Sequence, residues 1–143
     1  MATRSRIAIE NEDGTVKSIY CHWDGYPDNN GKLLLEHYQD RKKTKKLIDL
    51  GTISYLAPEV EPGDGVVHSF DTPTTGIVVA YHRDRGEDHH FTKHENLKDF
   101  FDSDIEEYGY LLTNKGEWLV KSAYNQFKGI KSVEEVLELL TLK

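Results

Sequence analysis

Two stretches hold most of the residues whose types and spacing could do chemistry. The first is Tyr20-Cys21-His22-Trp23-Asp24-Gly25-Tyr26-Pro27, with two large rings, an imidazole and a carboxylate in eight residues. The second is Tyr81-His82-Arg83-Asp84-Arg85-Gly86-Glu87-Asp88-His89-His90, with His94 four positions further on. The first pattern suits recognition of a flat ligand. Trp23 or Tyr26 would stack on a ring, a sequence-tolerant contact worth about 1–3 kcal/mol per base. His22 and Asp24 would read the polar edges. In the second stretch Arg83 and Arg85 could fork around a phosphate, Gly86 would let the backbone approach, and Tyr81 adds a third ring. Each pattern also has a purely structural explanation. The rings could pack a core corner, and the arginines could alternate with Asp84 in a charged turn whose exposed ion pairs contribute little.

The histidines admit a second chemistry. His90 and His94 stand four apart, which on a helix puts two imidazoles on one face. His82 or Asp88 would supply a third metal ligand, giving a metal-dependent hydrolase as an alternative. No second fixed spacing accompanies the pair, and the glutamate of a hydrolytic HExxH helix is missing. Cys21 next to His22 is no nucleophile pair, because strand neighbours point to opposite faces. There is no nucleophile elbow and no phosphate-binding glycine loop, so no catalytic residue and no cofactor are implied.

The elements that must position these residues follow from periodicity. Residues 5–11 and 15–22 alternate as two strands around Asp13-Gly14, a strong hairpin signal. The first chemical stretch leaves the second of these strands. Helices are expected over 31–39 and 41–50, the latter stopped by Gly51 and bearing a basic, solvated face from Arg41 to Lys46. Residues 51–75, broken by Pro58, Pro62, Gly63, Gly65 and Pro73, read as a long irregular excursion with a helical turn near 53–56. The β-branched run over 76–82 predicts a central strand covered on both faces, placing Arg83 and Arg85 at its end. A short helix is expected over 94–101, a hairpin over 108–121 turning at Asn114-Lys115-Gly116, and a last helix capped by Ser132 with Glu135 as its capping-box partner. The expected fold is α+β, an antiparallel or mixed sheet of about five strands with packed helices. Hairpins at both ends of the chain argue against a doubly wound parallel sheet.

The 143 residues suit one domain, 1–143, with a real core. Hydrophobic residues make up 37% and charged residues 30%. The net charge of −7 is uneven: residues 1–50 carry 9 basic against 8 acidic side chains, and residues 51–143 carry 9 against 17. An acidic chain is a poor binder of extended nucleic acid. The single cysteine, Cys21, allows no internal disulfide and fits a reducing compartment. No signal peptide and no apolar run of membrane-spanning length is expected, so the expected location is cytoplasmic.

Further residues carry a resemblance. Arg4-Ser5-Arg6-Ile7-Ala8-Ile9-Glu10, Asp13-Gly14-Thr15 and Ser18-Ile19-Tyr20-Cys21-His22-Trp23-Asp24-Gly25-Tyr26-Pro27 come in that order. Leu34-Leu35-Glu36-His37-Tyr38, His68-Ser69-Phe70-Asp71 and Arg83-Asp84-Arg85-Gly86-Glu87-Asp88 follow. Over roughly residues 4–88 the chain resembles a group of small proteins of tailed bacteriophages and prophages that bears this YCHWDGYP motif. The resemblance implies a phage accessory protein acting in host cytoplasm, and it carries no ligand residues over. The expected function is a non-catalytic binding protein for a small anionic ligand, a nucleotide signal of host immunity, with homo-oligomerisation as a way to complete the pocket. The expected ligand-binding set is His22, Trp23, Asp24, Tyr26, Tyr81, Arg83 and Arg85. A second expectation is a protein–protein inhibitor whose acidic C-terminal two-thirds occupies a basic site on a host enzyme.

Overall fold

The computed structural model describes residues 3–124 and 126–141. Its first hairpin is β1 (Ser5–Glu10) and β2 (Val16–Cys21), paired antiparallel from Ser5↔Cys21 to Glu10↔Val16. The turn closes on Gly14 at φ +88°, a conformation that costs glycine nothing. A second hairpin, β6 (Tyr108–Leu112) and β7 (Trp118–Ser122), turns on Gly116 at φ +89°. The two hairpins join through a parallel pairing of β1 with β6, Ser5↔Tyr108 to Ile9↔Leu112. The short strands β3 (Ile53–Tyr55), β4 (Val79–Ala80), β5 (Thr92–His94) and β8 (Ile130–Ser132) extend the sheet. The order is β4-β3-β2-β1-β6-β7-β8, with β5 also paired to β2. The fold is α+β, and its mixed sheet has eight strands where about five were expected.

Alternation along the strands gives the sheet two apolar faces. Ile7, Ile9, Ile19, Cys21, Tyr110 and Val120 lie under three helices, α1 (Lys32–His37), α2 (Arg41–Asp49) and α5 (Val133–Thr141). Ala8, Val16 and Leu111 lie under Phe100 and Phe101 of α4 (Leu97–Asp102). Asp40 caps α2 by accepting from the Lys42 N–H, and Gly51 at φ +77° ends that segment. The Ser132 hydroxyl accepts from the Glu135 N–H at the start of α5. Arg41 departs from the solvated face expected of it: its guanidinium donates to the carbonyls of Thr113 and Glu10 and so bolts α2 to the ends of β6 and β1.

Three expected elements differ. Residues 53–56 form no helical turn; Ile53 and Tyr55 sit in β3, between β2 and β4. The run over 76–82 is no central strand. Val79 and Ala80 pair at the edge of the sheet, Ile77 makes an isolated parallel bridge with Glu59, and the chain then turns into α3 (Tyr81–Arg85). Its apolar side chains are still buried, because the excursion folds back over them: Leu56, Ala57 and Val60 join the same core as Val78 and Ala80. Last, α4 starts at Leu97 on an Asn96 cap, so His94 belongs to a strand and not to a helix. No helix among the described residues is long and apolar enough to cross a membrane.

Candidate functional site

The Trp23 corner is fixed from behind by its small residues. Gly25 donates its N–H to the Thr3 carbonyl, and its own carbonyl accepts from the Tyr110 hydroxyl at 2.6 Å. A Cβ at Gly25 would lie 2.7 Å from the Ser5 Cβ, so only glycine lets the chain come this close to β1. Asp24 takes a left-handed φ of +56°, and its carbonyl accepts from the Asn29 side chain. Buried Asn30 donates to Ser5 Oγ and Cys21 Sγ beneath. Sequence reasoning missed Ser5 and Asn30; an asparagine before an apolar helix carries no signal for such a role. Cys21 is sealed, and burial pushes its thiol up to about 11, which leaves it inert as a nucleophile.

The front of the corner faces water. Trp23 is 43% exposed and Tyr26 41%. Tyr20, His22 and Trp23 form a line of rings. The Tyr20 hydroxyl and His22 Nδ1 share a 2.8 Å hydrogen bond, and the His22 and Trp23 rings meet edge-on at 4.8 Å. Tyr81 belongs to the same neighbourhood. Cys21 pairs with Ile53, and Ile53 with Ala80, so Tyr81 begins two strands from His22, about 10 Å at the usual strand spacing. Burial chiefly raises the pKa of the Tyr20 hydroxyl, against the pull of Arg4 and with smaller contributions from Glu106, Tyr81 and Cys21. Tyr81 packs on Phe70 at 5.3 Å, and the Arg85 guanidinium lies over the Phe70 ring at 4.6 Å. Arg85 also pairs with Glu87 at 3.3 Å and stays open to solvent.

Arg83 serves a different purpose from Arg85. Its guanidinium donates to the Val60 and Val78 carbonyls, each at 2.6 Å, and to the Asp84 carboxylate. Asp84 also accepts from the Ala80 N–H and lies 3.4 Å from His68 Nε2. Burial opposes the Asp84 charge. The Arg83 hydrogen bond, the Ala80 N–H and the charge of Arg83 outweigh that, and its pKa falls below the ordinary value. His68 is buried too, accepting from the Thr74 N–H at Nδ1 and donating to the Val78 carbonyl from Nε2. This His68–Asp84–Arg83 cluster pins the 57–75 excursion to α3, and it was not recognised in the sequence. The geometry thus commits Arg83 to the fold, leaves Arg85 in the open over Phe70 beside Tyr81, and sets Tyr81 two strands from His22.

The metal-ligand alternative is overturned. Its i, i+4 argument needed a helix over 90–94, where the chain is extended. His94, 8% exposed, bonds Ser18 Oγ through Nε2 and packs edge-on against Phe100. His82 stacks on His89, whose Nε2 donates to the Asp49 carbonyl. Among the described residues no three of His, Cys, Asp and Glu converge as metal ligands, so His82, Asp88, His90 and His94 form no centre. Ser18–His94 is not a nucleophile pair either, since Ser18 is fully buried inside the sheet and no substrate reaches it.

No protein-family model, curated protein or solved structure matches the chain.

Proposed function

We propose that this protein is a non-catalytic binder of a small, planar, anionic ligand, with a nucleotide as the class that fits best. The observation that carries the reading is the braced line Tyr20–His22–Trp23, which offers an exposed indole on a corner held rigid from behind. A surface this exposed and this well braced is preorganised for stacking, which reduces the ordering cost of binding. Trp23 and Tyr26 stack on the base, His22 and Asp24 meet its polar edges, Tyr81 flanks it, and Arg85 supplies the charge for phosphate. Arg83 acts indirectly, by holding α3. The resemblance to tailed-phage proteins supports a nucleotide signal of host defence as the ligand and the host cytoplasm as the setting, and a second copy of the chain would deepen the binding surface.

Thermal unfolding against a panel of cyclic and linear nucleotides tests this. Ligand at 100 times its dissociation constant adds about 2.7 kcal/mol, a rise in Tm of several degrees. Trp23→Ala should abolish that rise and leave the Tm of the free protein nearly unchanged, because an exposed ring contributes little to the core. A panel in which no nucleotide moves the Tm would end the reading.

A further inference from the structure

A second candidate site lies at the other end of β2, where it pairs with β5. A cleft of about 480 Å³ opens between the β1–β2 hairpin and the junction of β5 with α4, and Asn11, Lys17, Lys93, His94, Glu95 and Asp99 line it. The volume is within the range of small-molecule sites, roughly 300–1,000 Å³.

Its charges are sorted by position. Lys17 and Lys93 are direct cross-strand partners in the β2–β5 ladder, and like charges so placed repel. The arrangement is tolerated because both ammonium groups lie over the Phe91 ring, at 4.2 and 5.8 Å, and because Lys17 also pairs with Asp49 at 3.0 Å. Lys93 makes no ion pair among the described residues. Glu95 and Asp99 stand at the turn into α4, where the Asp99 carboxylate accepts from the Glu95 N–H. Between the two groups sits His94. Its Nε2 shares a 2.9 Å hydrogen bond with Ser18 Oγ, which also accepts from Arg6 Nε, and the ring lines the cleft. With Lys17 already offset by Asp49, a bare polyanion would meet Lys93 on one side and two carboxylates on the other. A ligand with one charge of each sign would satisfy both sides.

We propose that this cleft binds a small zwitterion, its carboxylate held between Lys17 and Lys93 and its ammonium group beside Glu95 and Asp99. The site is independent of the aromatic corner.

Amide chemical shifts of the full chain, titrated with 4-aminobutyrate and 6-aminohexanoate, test it. Butyrate, hexanoate and hexylamine serve as probes with a single charge. The zwitterions should move the amides of residues 11–17 and 92–99 saturably at ligand up to about 10 mM, ten times a millimolar dissociation constant. The single-charge probes should bind about tenfold more weakly or worse. Lys93→Gln and Glu95→Gln, both at exposed positions, should each weaken zwitterion binding by about tenfold with the amide spectrum otherwise intact. Trp23→Ala should leave the titration unchanged, which separates this site from the nucleotide surface. Hexanoate binding as tightly as 6-aminohexanoate would overturn the proposal in favour of a simple anion site, and no saturable shift with either zwitterion would remove the site altogether.

Discussion

Arg83 and Arg85 are two positions apart and do opposite work. The Arg83 side chain is 22% exposed and feeds its donors into two carbonyls and the buried Asp84 carboxylate; Arg85 is 55% exposed and lies over a ring. Type and spacing made the two look like one phosphate fork, because sequence shows the reach of a guanidinium but not its partners. Arg83→Met should therefore cost about 2–3 kcal/mol, read as a lower urea midpoint, since it removes the cationic partner of a buried carboxylate and the donor to the Val60 carbonyl. Arg85→Met should change stability by less than about 0.5 kcal/mol while weakening nucleotide binding. The same cluster sets a pH dependence. The folded-state pKa of Asp84 lies below its ordinary 3.8, so its contribution is complete above that value and is lost as the pH falls through the lower folded pKa. The gap in urea midpoint between the native chain and Asp84→Asn should accordingly be widest near neutral pH and narrow only on strong acidification.

The elements differ in how much they owe to their own residues. Both hairpins, the capped α2 and the Ser132 start of α5 were legible, because alternation, turn glycines and caps act within a few positions. The strands β3 and β5 were not. Each has three residues and exists because β2 offers it an edge: Cys21 to Ile53 at one end, Val16 to Ser18 against His94 to Thr92 at the other. Residues 90–94 could be read as a helix only because a spacing of four says nothing about whether a helix is there. The run read as a strand over 76–82 is buried at Ile77 to Ala80, as expected, and was wrongly read as central, since its cover comes from the excursion and not from flanking strands. At the candidate site, the exposed rings were legible in composition, while the backing of Gly25, Ser5, Asn30 and Tyr110 depended on contacts up to 85 positions apart. That backing gives the corner its rigidity. Gly25→Ala should push against Ser5 and the Thr3 carbonyl and destabilise the chain by about 1–3 kcal/mol, an overpacking cost. Unfolding midpoints and the accessibility of Trp23 fluorescence to a quencher would report the stability loss and the loosened corner together.

At the scale of the whole molecule, the first and last thirds of the chain are interleaved. β1 lies between β2 and β6 in the middle of the sheet, so the N-terminal hairpin completes its ladder only with a strand that begins a hundred residues later. Trp118 Nε1 donates to the Tyr38 carbonyl at 3.0 Å, and Tyr110 reaches back to Gly25, so both the helical layer and the candidate site are closed by the C-terminal segment. Cutting in the exposed segment between α4 and β6 would leave residues 1–103 with β1 as a bare edge beside an uncovered apolar face. Residues 104–143 would keep a hairpin and a helix with nothing beneath them, and an isolated hairpin is marginal in water. Neither piece should fold alone, and the mixture should regain the β1–β6 ladder, because that pairing is parallel and needs no connecting turn. Circular dichroism of each fragment and of the equimolar mixture, with Trp118 fluorescence as the marker of its burial, measures this. The reconstituted complex should also recover nucleotide binding, since the corner depends on Tyr110 from the second fragment. A 1–103 fragment that folds and binds on its own would show that the site is built without the C-terminal third, contrary to the packing described.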